Sequence, residues 1–240
     1  MAIKVILWDI DGTLLNFEKT EKYALQTCFS RFSLGECTDD RISRYSEINK
    51  KYWERLEKGE LTKEEVLKGR FAEFFQTEGI FFSKIEEFNK EYLTRLGDEI
   101  FFQDEGYELV KRLKEKVKQY AVTNGTYAAQ HRKLKKSGLD VLFDDIFISD
   151  LVGFEKPSRD FFDYVWKKTG FYNKEEVMIV GDSLTSDMQG GNNAGILCCW
   201  YNRKGAGNPG RVKIDYEIQD LRQVEEIVSE SVSCIKNILY

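Results

Sequence analysis

Two aspartates spaced two residues apart, Asp9 and Asp11, follow a short apolar run and lead into Gly12 and Thr13. If a buried strand stops between them, Asp9 stays at the sheet edge while Asp11 turns into the loop. One carboxylate can then attack while the other handles a proton. A second acidic pair, Asp182 and Asp187, follows another apolar run, the later residue about one helical turn beyond the earlier. Brought beside Asp9, these acids make a hard-oxygen site of the kind Mg2+ accepts, with a few carboxylates, retained waters and substrate phosphate. Without a cation they repel one another and their pKa values rise. Thr123-Asn124-Gly125 ends a strand-like run and precedes a helical stretch, offering a hydroxyl and main-chain amides to a phosphate. Lys156, fixed by Pro157 ahead of another helical stretch, can offset charge on a phosphate and on an attacking carboxylate. Singly, these are an Asp-Gly turn, a helix N-cap and a solvated lysine. Together they describe phosphoryl chemistry.

The elements that must position these groups show as an alternation. Apolar runs at 3–8, 117–123, 146–149, 177–180 and 196–201 alternate with amphipathic stretches at 107–116, 127–137, 159–168 and 185–194. This predicts an α/β fold with a doubly wound, Rossmann-like parallel sheet, which binds ligands outside the carboxyl ends of its strands. Between 16 and 98 the texture changes: Ala24, Leu25, Cys28, Phe29 and Phe32, then Phe71, Phe74 and Phe75, recur at helical spacing. Breaks near 33–38, 59–62 and 79–83 divide this region into about four helices, with Thr38, Thr62 and Ser83 as N-caps. The expected organisation is an α/β core of residues 1–15 and 99–240 and an inserted all-helical cap of residues 16–98. The two connections form a hinge that gates the site.

Composition excludes other classes. The 240 residues are 42% hydrophobic with only two prolines, which argues for a folded chain without a long linker. Thirty-six basic against 41 acidic residues give a net charge of -5, so no polynucleotide and no membrane is expected as a partner. Apolar runs too short for a signal peptide or a span, and five cysteines (Cys28, Cys37, Cys198, Cys199 and Cys234) without metal spacing, point to reduced thiols and the cytoplasm. His131, within a basic helical run, and the basic segment 111–118 read as solvated helix faces. Tyr45, Tyr52, Trp53, Phe71, Phe74, Phe75, Phe81 and Phe82 read mainly as cap core, one or two of them free to stack on a base.

The ordered motif set resembles the haloacid dehalogenase superfamily, whose phosphatases use an aspartate nucleophile. The likeness is nearest to its pyrimidine 5'-nucleotidase branch, through Thr123-Asn124-Gly125, Ser137-Gly138-Leu139, Gly153-Phe154-Glu155-Lys156-Pro157 and the stretch GDSLTSDMQGGNNAG at 181–195. Trp8 departs from the more usual phenylalanine. By this resemblance Asp9 attacks phosphorus to give an aspartyl-phosphate, while Asp11 protonates the leaving alkoxide and then activates water. Asp9, Asp182 and the main-chain carbonyl of Asp11 hold Mg2+, with Asp187 acting through a water or from behind. Thr123, Asn124 and Lys156 bind the phosphoryl group. The implied substrate is a small phosphate monoester, a pyrimidine nucleoside 5'-monophosphate. Alternatives are phosphoglycolate or a sugar phosphate, carbon-halogen hydrolysis, which Asp11 and Asp182 disfavour, and a non-catalytic binding protein of the same fold. The sequence leaves the oligomeric state open.

Overall fold

A computed structural model describes residues 2–171, 173–209 and 212–236, the side chains of 232–236 excepted. Cys234 therefore lies outside the described side chains. Cys28, Cys37, Cys198 and Cys199 are buried free thiols. No helix among the described residues is long and apolar enough to cross a membrane.

The chain divides into two compact units: residues up to Asn16, Phe102–Tyr127 and from Ser137 onward form one, and Phe17–Phe101 with Ala128–Lys136 form the other. The first holds a parallel sheet of β1 (Val5–Trp8), β2 (Lys118–Thr123), β3 (Asp145–Ile148), β4 (Val177–Gly181), β5 (Leu197–Tyr201) and β6 (Tyr216–Ile218). Their spatial order is β3-β2-β1-β4-β5-β6. All four β1 residues are fully buried, as a strand covered on both faces requires. Val5 and Leu7 join Val122, Val177 and Ile179 on one face, against Phe161, Phe162 and Val165 of a helix at Arg159–Thr169. On the other parity, the Trp8 indole N–H donates to Gln119 Oε1 at 2.9 Å, and Gln119 Nε2 donates to the Val110 carbonyl at 2.9 Å. The larger aromatic ring thus brings a polar atom whose partner comes from β2.

Two elements lie beyond the runs and stretches assigned from the sequence. β6 is three residues long with exposed Glu217 at its centre, and a helix at Gln223–Lys236 follows it. The stretch expected as one helix at 185–194 opens instead as a π turn, Leu184–Met188, before regular helix at Gln189–Ala194.

The second unit contains α1 (Phe17–Arg31), α2 (Asp39–Glu57), α3 (Lys63–Thr77) and α4 (Ile85–Arg95). Thr38 caps α2, and Thr62 with Glu65 forms a capping box on α3. Ser83 does not cap α4: Lys84 takes the N-cap position without a side-chain bond, so the serine stands one residue too early. Tyr45 stacks on Phe71 with ring centroids 4.9 Å apart, and Phe74 and Phe75 are equally buried, whereas Phe81 is fully exposed. His131 is exposed, but Lys133, two residues on, is buried with its ammonium 5.2 Å from the Phe17 ring, so that basic run is not uniformly solvated. A polar network crosses this core. Glu21 accepts from Ser46 and from Asn49 Nδ2 (2.9 Å), while Arg70 donates to Asn49 Oδ1 and Asn89 Oδ1, each at 2.9 Å.

Candidate active site

The order of the sheet reverses at β1, which lies between β2 and β4, and this creates the crevice at its carboxyl end. Asp9 is the first residue beyond β1, and its N–H donates to the Val180 carbonyl at 3.0 Å, holding it in register. Beyond it the chain folds back sharply: Leu15 N donates to the Ile10 carbonyl and Gly12 N to the Leu15 carbonyl, both at 2.8 Å. Asp11 sits half-buried in this loop. Gly12 has φ +93°, and a Cβ there would fall 2.5 Å from Asp182 Oδ2. Glycine is therefore what lets the loop lie against Asp182. Gly181 serves the same end for Asp187, whose Cγ would lie 2.3 Å from an added Cβ.

Asp182 follows β4 and keeps a solvent-facing side, with its carbonyl accepting from Trp200 Nε1 of β5 at 2.9 Å. Asp187 is buried in the π turn, where Oδ2 accepts from Ser183 N at 3.1 Å. Thr13 Oγ1 lies 3.0 Å from Asp9 Oδ2 and 3.4 Å from Asp182 Oδ1, so one hydroxyl spans both strands. Lys156 is 1% exposed, and its Nζ donates to Asp9 Oδ1 (2.8 Å), Asp187 Oδ1 (2.6 Å) and the Val122 carbonyl (2.8 Å). Thr123 is buried, and its Oγ1 accepts from Gly125 N at 3.2 Å. The Asn124 side chain is turned toward the Lys156 main chain.

Electrostatics follow from this crowding. Burial, then Asp187 and to a smaller degree Asp11, push Asp9 up to about 7, although Lys156 pulls the other way. Asp182 rises well above the usual carboxylate range, through desolvation by the surrounding protein and then through Asp9 and Asp187. Its side chain keeps a solvent-facing side, and Asp9 and Asp187 add to the rise across the same crevice. For Lys156, burial alone would lower the pKa, but Asp187 and Asp9 outweigh it and the ammonium is held. One oxygen from each of Asp9, Asp182 and Asp187 lies within 4.8 Å of the others. These donors are all hard carboxylates, and a single lysine leaves them under-neutralised, so the set fits a hard divalent cation.

The structure thus brings Asp9, Asp182, Asp187 and Lys156 into direct proximity, with Asp11 on the adjoining loop and Thr123 at the end of β2. Sequence reasoning gave no role to Thr13, although it stands in the first motif, nor to Ser186 and Trp200. A tryptophan inside an apolar run carries no signal that its N–H will hold the main chain of an acid on the next strand.

Residues 6–201 match the family model of the haloacid dehalogenase-like hydrolases, and the chain belongs to that family. It is an enzyme, a hydrolase of the phosphatase kind. Among relatives, it is 32% identical to the putative HAD-hydrolase YfnB of Bacillus subtilis, over 96% of this chain and 98% of that protein. The structure of YfnB bound to magnesium, described as revealing interdomain movement, aligns with TM-score 0.90 over 95% of this chain and 99% of that one. The pyrimidine 5'-nucleotidase PynA of Streptococcus pneumoniae is 30% identical, over 97% of this chain and 98% of its own. The pyrimidine 5'-nucleotidase YjjG of Escherichia coli is 27% identical, over 93% and 96%.

Proposed function

We propose that this hydrolase releases phosphate from pyrimidine nucleoside 5'-monophosphates through an aspartyl-phosphate on Asp9. The observation that carries the reading is the Lys156 ammonium seated between Asp9 and Asp187, beside Asp182. An Asp9 oxygen attacks phosphorus as the bond to the ester oxygen breaks, and Asp11 gives its proton to the departing alkoxide. Asp11 then takes a proton from water, whose oxygen attacks the same phosphorus, freeing inorganic phosphate and regenerating the Asp9 carboxylate. Thr123 fits a role as donor to a phosphoryl oxygen, since its own oxygen already accepts from Gly125. Lys156 neutralises phosphoryl charge while remaining tied to the nucleophile. When bound, Mg2+ held by Asp9, Asp182 and the Asp11 carbonyl, with Asp187 behind, supplies further charge neutralisation for the phosphoryl oxygens.

The nucleotide part rests on PynA and YjjG, similar over nearly the whole chain. The helical unit, inserted directly after the Asp9 loop, is assigned substrate selection. The test is phosphate release from UMP, dTMP, phosphoglycolate and sugar phosphates, with and without Mg2+, by the parent chain and by Asp9→Asn. Preference for the pyrimidine nucleotides, dependence on Mg2+ and loss in the variant are expected. Equal turnover of the sugar phosphates would remove the nucleotide assignment. Full activity in Asp9→Asn would remove the nucleophile, and halide release that survives a chelator would favour carbon-halogen hydrolysis.

A further inference from the structure

The Asn124 carboxamide makes three bonds, and none of them faces an anion. Its Oδ1 accepts from Lys156 N at 2.8 Å, while Nδ2 donates to the Lys156 carbonyl at 2.8 Å and to Ser186 Oγ at 3.2 Å. The orientation of the amide is fixed by chemistry, because a main-chain N–H needs an acceptor and a carbonyl a donor. Both Nδ2 hydrogens are thereby used, and Oδ1, an acceptor, cannot bind a phosphoryl oxygen. Lys156 returns to the same strand by a second route, since its Nζ donates to the Val122 carbonyl. Ser186 is itself anchored, its N–H donating to Ser183 Oγ at 3.1 Å, and the next residue in that π turn is Asp187.

We propose that Asn124 is a positioning residue that locks the lysine-bearing loop to β2 and to the turn bearing Asp187, thereby setting where Lys156 Nζ lies between Asp9 and Asp187. This rests on the phosphatase reading and deepens it: the phosphoryl group meets Thr123 and Lys156, and the Asn124 side chain acts through Lys156. Releasing the clamp frees the lysine backbone at one end of a side chain whose other end is already bonded. Displacing a charge-neutralising group by about 1 Å costs on the order of 100-fold in rate.

The test is a double-mutant cycle on the whole chain with Mg2+ and p-nitrophenyl phosphate. Asn124→Ala, and the isosteric Asn124→Asp, which keeps the acceptor but loses both donors, should each lower kcat/KM on the order of 100-fold. Added to Lys156→Met, either should change kcat/KM by no more than about threefold beyond Lys156→Met alone, because the two residues act as one unit. Effects that multiply would place the Asn124 side chain on the substrate and overturn the proposal. A second readout does not need turnover: the buried Lys156 ammonium should give a slowly exchanging proton signal in 15N-lysine spectra of the parent, and Asn124→Asp should lose it. An unchanged signal would equally overturn the clamp. Failure of the parent to hydrolyse any ester would instead strike the phosphatase reading, with the ammonium signal still deciding the clamp.

Discussion

Lys156 Nζ stands 2.6 Å from Asp187 Oδ1 and 2.8 Å from Asp9 Oδ1, so the shorter of its two carboxylate bonds goes to the acid that is not the proposed nucleophile. Asp187 thus competes for the ammonium and keeps it from closing wholly onto Asp9. Asp187→Asn removes that competitor and lets Lys156 pair with Asp9 alone, which lowers the nucleophile's basicity and weakens the hold on a cation. Activity should fall roughly 10- to 100-fold, with a higher Mg2+ concentration needed for half-maximal rate, as for other groups that orient metal ligands. Titrating phosphate release against Mg2+ checks this. A variant matching the parent at every Mg2+ concentration would show that Asp187 is only a turn former.

Gly12 makes a complementary case on the other side of the crevice. A methyl group at this position would overlap the Asp182 carboxylate and must also accept φ +93°, which an alanine rarely does. Gly12→Ala should therefore displace Asp182 or open the loop carrying Asp11. The expected outcome is a drop in kcat/KM on the order of 100-fold. A melting temperature lowered by only a few degrees should accompany it, since the residue lies at the rim of the fold. Retention of full activity would mean that the loop has room that the geometry does not show.

The runs that became β1, β2, β4 and β5 were legible because strands buried on both faces need unbroken apolar sequence, and the acids at their ends stood out against it. Thr38 and Thr62 were legible for a similar local reason: a cap acts on residues two or three positions away. β6 was not, because an edge strand pairs through its main chain and needs little apolar sequence. Asn124 shows the limit most clearly. Its position pointed to the site, but whether its amide faces an anion or another loop is decided by Lys156, 32 residues away. Glu21 was missed for the same reason, since its partners Ser46, Asn49 and Tyr92 come from two other helices.

Glu21 gives the helical unit a pH dependence of unusual sign. Burial lifts its carboxyl from 4.5 to about 7, despite bonds from Ser46, Asn49 and Tyr92 and the nearby Arg70. Between those values the folded state binds more protons than the unfolded chain, so this contribution to stability is complete below about pH 4.5 and is lost as pH rises through about 7. The whole swing is worth about 3 kcal/mol. Glu21→Gln imitates the protonated form, so its unfolding free energy relative to the parent should shift in the variant's favour by roughly 2–3 kcal/mol between pH 5 and pH 8. Urea melts of both chains measure it, and other titrating groups cancel in the difference. Parallel curves would mean that Glu21 stays ionised against Arg70 throughout.

Trp8 precedes the proposed nucleophile, and its only described polar partner is Gln119, which sits on the next strand. Trp8→Phe leaves Gln119 Oε1 buried without a donor and removes ring volume from a fully packed position. The loss should be about 2 kcal/mol, which for a chain of this size is roughly 4–8 °C in melting temperature. Asp9 is held by its main-chain bond to Val180 and by Thr13 and Lys156, none of which involves the indole. Assayed well below the melting range, kcat/KM should therefore remain within about threefold of the parent, the spread expected of uncoupled sites. A variant as stable as the parent would show that the cavity collapses and that Gln119 finds another donor. A large loss of activity at low temperature would show instead that the indole sets the direction of Asp9.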